Sequence, residues 1–181
     1  MTLLPMPPAE KAYGNVLYKI LTAAPAAASG IPTLVEVNAG LSAGLYMYGD
    51  PSLRPNQNTG EGPRRVAAKA VPTEFGTVTY PPVDVQISFK PQELGTPGAD
   101  GNEAYEALEI GSEVTVVVFY GIDGRTATVP ANAVGDVFLM EIGDVKGKGR
   151  TGDGEFDHLS TMLQMVVQGE GPIKEDHVFA A

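Results

Sequence analysis

The stretch Val83-Asp-Val-Gln-Ile-Ser-Phe-Lys90 decides the fold. Its apolar residues Val83, Val85, Ile87 and Phe89 alternate with the polar Asp84, Gln86, Ser88 and Lys90. Successive side chains leave a strand on opposite faces, so this period of two means a strand with one dry and one wet face. The pattern recurs at Thr161, Leu163, Met165 and Val167, set against Ser160, Gln164 and Gln168, although Met162 and Val166 blur the polar face. Val114-Thr-Val-Val-Val-Phe-Tyr120 and Val137-Phe-Leu-Met-Glu-Ile142 are apolar on both faces, which predicts central strands. Weaker strand signals lie at Thr33–Val37, Leu41–Tyr48, Arg64–Val71 and Thr77–Tyr80, making about eight strands in all.

One helix is expected, at about 101–110. Asp100 or Asn102 supplies an N-cap, and Glu103 and Glu106 sit in the first turns, where the helix dipole favours negative charge. Gly111 stands where a C-terminal cap belongs, and Ala104 and Leu108, four apart, face the sheet. The expected fold is mainly β: a β-sandwich of two packed, mostly antiparallel sheets with one short α-helix and long loops. Residues 1–30 read as an N-terminal arm or linker, and residues 31–181 as a single domain. A cleaved signal peptide is disfavoured, because only Ile20 and Leu21 are strongly apolar between Lys19 and Pro25.

Gly49-Asp-Pro-Ser-Leu-Arg-Pro-Asn-Gln-Asn-Thr-Gly-Glu-Gly-Pro63 interrupts the strands. It holds three prolines, three glycines and one aliphatic residue, Leu53. Both residue types punctuate against helix and strand, so a long loop is expected over 49–63. Structureless loops beyond about 12–15 residues are mostly functional or disordered.

Composition narrows the class. The 181 residues suit about one domain, and 22 Gly with 15 Pro suit a turn-rich β protein. With no cysteine, disulfides, thiol nucleophiles and thiolate metal sites are excluded. No apolar run reaches the roughly 18 residues of a membrane-spanning helix. The net charge is −10, and residues 84–113 carry seven acids against Lys90 alone. Such a surface opposes direct gripping of DNA or anionic lipid, which needs Lys and Arg.

Catalytic and cofactor signals are thin. Gly40-Leu-Ser42-Ala-Gly44 fits the nucleophile-elbow pattern, but it lies in a strand-like run with no helix after it. Gly147-Lys-Gly149-Arg-Thr-Gly152 fits a dinucleotide fingerprint but lacks the ensuing helix and parallel strand. Asp153, Glu155 and Asp157 have the first spacings of a calcium loop, yet His158 stands at its glycine position and Gln164 at its bidentate glutamate position. His158 and His177 each lack a partner at metal-ligand spacing. No catalytic, cofactor or metal site is expected.

Taken together, an N-terminal arm, a strand pair split by a long polar loop, a short acidic helix and three closing strands resemble the major tail (tail tube) proteins of siphophages. The pieces that carry the likeness are Phe75-Gly-Thr-Val-Thr-Tyr80, Asp84-Val-Gln-Ile-Ser-Phe-Lys-Pro-Gln-Glu93, Asn102-Glu-Ala-Tyr-Glu-Ala-Leu108, Gly135-Asp-Val-Phe-Leu-Met-Glu-Ile142 and Met165-Val-Val-Gln-Gly-Glu170. The resemblance implies a structural virion protein without enzymatic activity or cofactor. It implies self-assembly in the host cytoplasm as stacked, hexameric rings that form the conduit for genome ejection. Implied partners are further copies, a tape-measure protein, a tail terminator and distal tail or baseplate proteins. DNA passes through the lumen without specific binding, and no membrane is involved. The 49–63 loop then becomes an assembly element, with Leu53, Arg54, Asn56, Asn58, Arg64 and Arg65 as interface candidates. Asp84 is the candidate lumen-facing acid. The competing reading is a β-sandwich binding module, such as a virion decoration or carbohydrate-binding domain, against whose sugar platform the absence of Trp counts.

Overall fold

The computed structural model describes residues 14–49, 51, 53–63, 66, 73–93, 101–143, 146–153, 155, 158–169 and 171–180. The described elements begin with β1 (Val16–Leu21), α1 (Leu34–Ala39), β2 (Leu41–Ser42), β3 (Met47–Tyr48), β4 (Asn56–Glu61) and β5 (Thr73–Thr79). They continue with β6 (Val83–Ser88), α2 (Glu103–Ala107), β7 (Glu113–Tyr120), β8 (Ala133–Ile142), β9 (Gly147–Arg150), β10 (Leu159–Val167) and β11 (Lys174–Phe179). The chain is mainly β, as its periodicity requires, with more strands than the eight expected.

Nine strands form one antiparallel sheet in the order β2-β1-β7-β8-β10-β6-β3, with β11 beside β8 and β9 beside β10; β4 and β5 form a separate ribbon. β8 divides one edge between two neighbours: Ala133–Val137 pairs with β11, and Met140–Ile142 with β10. β10 is divided likewise between β9 and β8. Where these long strands splay, the sheet folds over, so the two packed layers are halves of one continuous sheet. Ile20, Val116, Val118 and Met140 of one half meet Val85, Ile87, Leu163 and Met165 of the other in the main core. Each such side chain contributes about 1.5–3 kcal/mol by leaving water.

The β1–β7–β8 layer is also covered on its back. Leu17, Val117, Phe119 and Val137 there pack against Val37 of α1, Val129 and Phe179. This double coverage is why β7 is apolar on both faces. Gly135 lies so close to the Phe119 ring that a Cβ would come within 2.8 Å of it, which explains a glycine inside a core strand.

The fold closes through one short segment. The strand path starts at β2 and ends at β3, yet the two are joined by a single 3-10 turn, Ala43–Leu45. β2 pairs with β1 and β3 with β6, and Ser88 N–H donates to Tyr46 C=O at 2.8 Å. Leu41–Tyr48 is therefore not one strand but two, bent across the ends of the folded sheet.

Other expectations are corrected. Thr33–Val37 is no strand: Thr33 caps α1, its hydroxyl accepting from Glu36 N–H at 3.3 Å while Glu36 Oε2 accepts from Thr33 N–H at 2.6 Å. The arm reading fails for Val16–Leu21, because β1 pairs with β7 along its whole length and is buried from Leu17 onward. The helix near 101–110 is only Glu103–Ala107, and the Asn102 side chain does not cap it. Asn102 is fully buried and reaches back instead: Oδ1 accepts from Lys90 N–H at 2.7 Å, and Nδ2 donates to Lys90 C=O at 3.0 Å. Gly111, at φ +71, donates its N–H to Ile142 C=O at 3.0 Å and so starts β7 beside β8. Asp100 and, apart from Val66, the segment 64–71 lie outside the described residues.

Candidate assembly surfaces

The 49–63 segment is not a structureless loop. Asn56–Glu61 is β4, paired antiparallel with β5 from Asn56–Thr79 to Glu61–Thr73. Proline at 55 and 63 lies just outside the strand and Gly60 sits within it, so the punctuation marks the ends of a strand rather than its absence. A register shift between Gln57 and Thr59 sets Asn58 alone against Gly76 and Thr77, a bulge in β5. Gln57 Nε2 donates to Gly76 C=O at 3.0 Å and Thr79 Oγ1 to Asn56 C=O at 3.4 Å, tying the ribbon together internally.

Every residue of β4 and β5 is exposed. Phe75 is 76% exposed and Val78 40%, although both are strong β-formers that gain from burial. An isolated two-stranded hairpin is marginal in water and normally needs a third strand or a packing surface. This ribbon has neither within the described residues of its own chain.

The sequence candidates divide at its root. Leu53 is partly buried against the main core, lining its interior with Tyr18, Val83, Val116 and Met165. Its side chain anchors the root of the hairpin to its own chain. Arg54, Asn56 and Asn58 are exposed on the root and first strand. Arg64 and Arg65 lie outside the described residues. The strand expected at Thr77–Tyr80 is real but starts earlier, at Thr73, and this longer β5 supplies the second strand and the exposed aromatic Phe75.

Asp84 sits on a second surface, the outer face of the β6–β10 layer. It is exposed and accepts from Gln164 Nε2 at 3.1 Å. The ladder Gln164–Asp84, Val166–Glu141 and Glu113–Glu141 places three carboxylates on that one face. Glu141 accepts from Gln168 Nε2 at 2.7 Å. Glu113 and Glu141 are directly opposite, an arrangement that weakens a sheet. On β9, Lys148 pairs with buried Thr161 and Arg150 with Leu159, so those cations turn to the opposite face.

The catalytic motifs dissolve in this geometry. Ser42 lies in β2, and the turn after it leads to β3 rather than to a helix. It borders an apolar groove of about 690 Å³ between α1 and α2, whose lining includes Glu36 and Glu103 but no histidine. Hydrogen bonds from Ala26 N–H and Thr33 hold the Glu36 carboxyl below its ordinary value. Backbone hydrogen bonds, led by its own N–H, hold Glu103 below its ordinary value too. Both therefore stay ionised, unlike a general acid at neutral pH. His158 stacks on Tyr48 at 6.1 Å and His177 packs edge-on against Phe179 at 4.7 Å. Gly147–Arg150 of the dinucleotide pattern is an edge strand, and no three metal-ligating side chains cluster among the described residues. Asp157 of the calcium-like run lies outside them.

A closed β fold thus carries an exposed hairpin and an acidic face. No curated protein matches the chain significantly. The chain does match the phage tail tube proteins over residues 6–170, and it belongs to that family of structural, non-enzymatic components of the virion tail.

Proposed function

We propose that this chain is the repeating subunit of a siphophage-type tail tube, assembling as stacked hexameric rings that enclose the conduit for genome ejection. The observation that carries the reading is the β4–β5 hairpin: its own strand pairing cannot be the reason for an extension exposed on every residue, because two strands alone are barely stable in water. Tethered by Leu53 and displaying Arg54, Asn56 and Asn58, it reaches a neighbouring subunit or ring and is ordered there. Contacts between unlike surfaces of identical chains close into rings or run on as tubes.

The face that bears Asp84, Glu113 and Glu141 lines the lumen in this reading. Its carboxylates repel DNA phosphates, so the genome slides past without binding. Tape-measure, terminator and distal tail proteins complete the tail, which assembles in the host cytoplasm. Negative-stain microscopy of the purified chain tests the proposal. Six-fold rings or tubes are expected; isolated particles at every protein concentration would refute it and favour a binding module.

A further inference from the structure

Two features with no role inside the monomer lie at opposite ends of one strand. The β4–β5 hairpin joins β6 at Val83 through residues 80–82, while the far end of β6 runs on to Lys90, which Asn102 latches to α2. Between α2 and α1 opens the apolar groove of about 690 Å³. Tyr46 C=O accepts from Ser88 N–H at 2.8 Å, and Tyr46 lines the groove with Glu103 and Ala107 of α2, which fixes the groove at the Ser88 end. Groove and hairpin root are thus separated by the length of six-residue β6, roughly 16–20 Å.

Their chemistry matches. The groove is lined by Leu21, Leu41, Leu45 and several alanines, with Glu36 and Glu103 as its only charges. Leu45 is 57% exposed, so apolar surface is left in water there. β4 runs from its root at Leu53 to Glu61 and β5 returns from Thr73, so residues 62–72 join the strands at the end opposite the root. That connection, Gly62-Pro-Arg-Arg-Val-Ala-Ala-Lys-Ala-Val-Pro72, holds three cations, several small or branched apolar residues and no acid. Val66 within it is fully exposed. A cationic apolar segment and an acidic apolar groove are complementary in both charge and polarity. No described residue of the hairpin lines the groove of its own chain.

We propose that the groove between α1 and α2 receives the end of the β4–β5 hairpin, residues 61–73, of a second copy of this chain. This rests on the tube reading above and names what the hairpin meets. Docking covers Leu45 and Val66 together and brings the cations of the 62–72 connection to Glu36 and Glu103. It also gives the hairpin the packing surface that two strands lack by themselves. Because the giving and receiving surfaces differ and lie at opposite ends of β6, the contact is head-to-tail and repeats from copy to copy.

The chain has no cysteine, so Leu45→Cys in the groove and Val66→Cys in the hairpin connection report on the contact directly. The full-length double variant is oxidised under assembly conditions and run without reductant. A ladder of covalent dimers and higher species is expected, and little or none when Leu45→Cys is combined instead with Val178→Cys, exposed on β11. Equal ladders from both pairs, or none from the first while tubes still form, overturn the docking but leave the tube reading intact. If the parent chain forms no ring or tube, both fall. Maleimide labelling of the single variant Leu45→Cys supplies a second readout. Labelling should slow at least roughly tenfold in assembled tubes relative to the dispersed chain, since thiol reactivity follows exposure. An equal rate means that the groove stays open in the tube and belongs to some other partner. Charge supplies a third readout: Arg64→Glu with Arg65→Glu should raise the concentration for half-maximal assembly at least roughly tenfold. No change, with the variant folded by circular dichroism, counts against the docking.

Discussion

Gln164 Nε2 donates to Asp84 Oδ1 at 3.1 Å across the β10–β6 ladder. Gln168 does the same for Glu141 at 2.7 Å. Each amide holds its carboxylate in place on the outer face by a charge-assisted hydrogen bond. If that face lines the lumen, reversing it by Asp84→Lys with Glu141→Lys gives passing phosphates something to bind. Tubes should form normally, and DNA ejection from reconstituted virions should slow by roughly tenfold, with the delay shrinking as salt rises. Unchanged ejection kinetics in intact tubes would remove the lumen assignment.

The hairpin and the folded sheet separate cleanly in energy. Leu53 belongs to the core, so a deletion beginning there would damage folding as well as assembly. Replacing residues 56–79 with a short Gly-Ser linker removes only exposed strands and the segment between them. Its thermal midpoint should match the parent, since exposed substitutions usually change stability within about 0.5 kcal/mol. Polymerisation, followed by light scattering, should be lost. Normal tubes from this variant would make the hairpin a tolerated insertion.

Asn102 satisfies both backbone groups of Lys90 from a fully buried position, latching α2 to the end of β6. Asn102→Ala removes two part-buried hydrogen bonds to the Lys90 backbone, each worth about 0.5–1.5 kcal/mol. The denaturant midpoint should fall accordingly with an unchanged m-value. Thr161 presents the opposite case: it is fully buried, and its hydroxyl finds no hydrogen-bond partner among the described residues. Thr161→Val keeps the shape and removes the orphan, so a gain of about 1 kcal/mol is expected by the same measurement.

What the sequence made legible follows one physical rule: strands with one clean apolar face announced themselves. Val83–Lys90 and the runs in β7, β8 and β10 were all readable, because burial against the main core imposes period two or a continuous apolar run. β1 was hidden by Lys19, a charge buried in the middle of Val-Leu-Tyr-Lys-Ile-Leu, which made an inner strand look like an arm. β11 was hidden by its polar residues and the bulge at Asp176. Thr33–Val37 was misread although Thr33-x-x-Glu36 before an apolar position is a helix-start signal that outweighs β-branched propensity. The hairpin could not be seen as such, because neither strand buries anything in the monomer and so no periodic apolar face exists to betray it. Asp84 was legible as outward-facing from alternation alone. Its amide partner came from register, which one strand's pattern does not contain.

Lys19 also gives the sharpest pH prediction. Its side chain is buried, donating from Nζ to Ala127 C=O at 3.0 Å and Gly40 C=O at 3.4 Å. Burial lowers its pKa from the ordinary 10.5, and no carboxylate offsets that among the described residues. Between the lowered folded value and 10.5 the unfolded chain binds a proton that the folded chain does not. Stability therefore rises with pH across that window, on Lys19's account, while below it both states are protonated and the penalty is constant. Lys19→Met keeps the length and apolar stem but abolishes the titration. Unfolding by urea at intervals from pH 7 to 10.5 should show the parent gaining stability relative to the variant as pH rises. If the difference between them stays flat, the amine is not desolvated in the folded state, and its two carbonyl contacts are made by an ordinary solvated lysine.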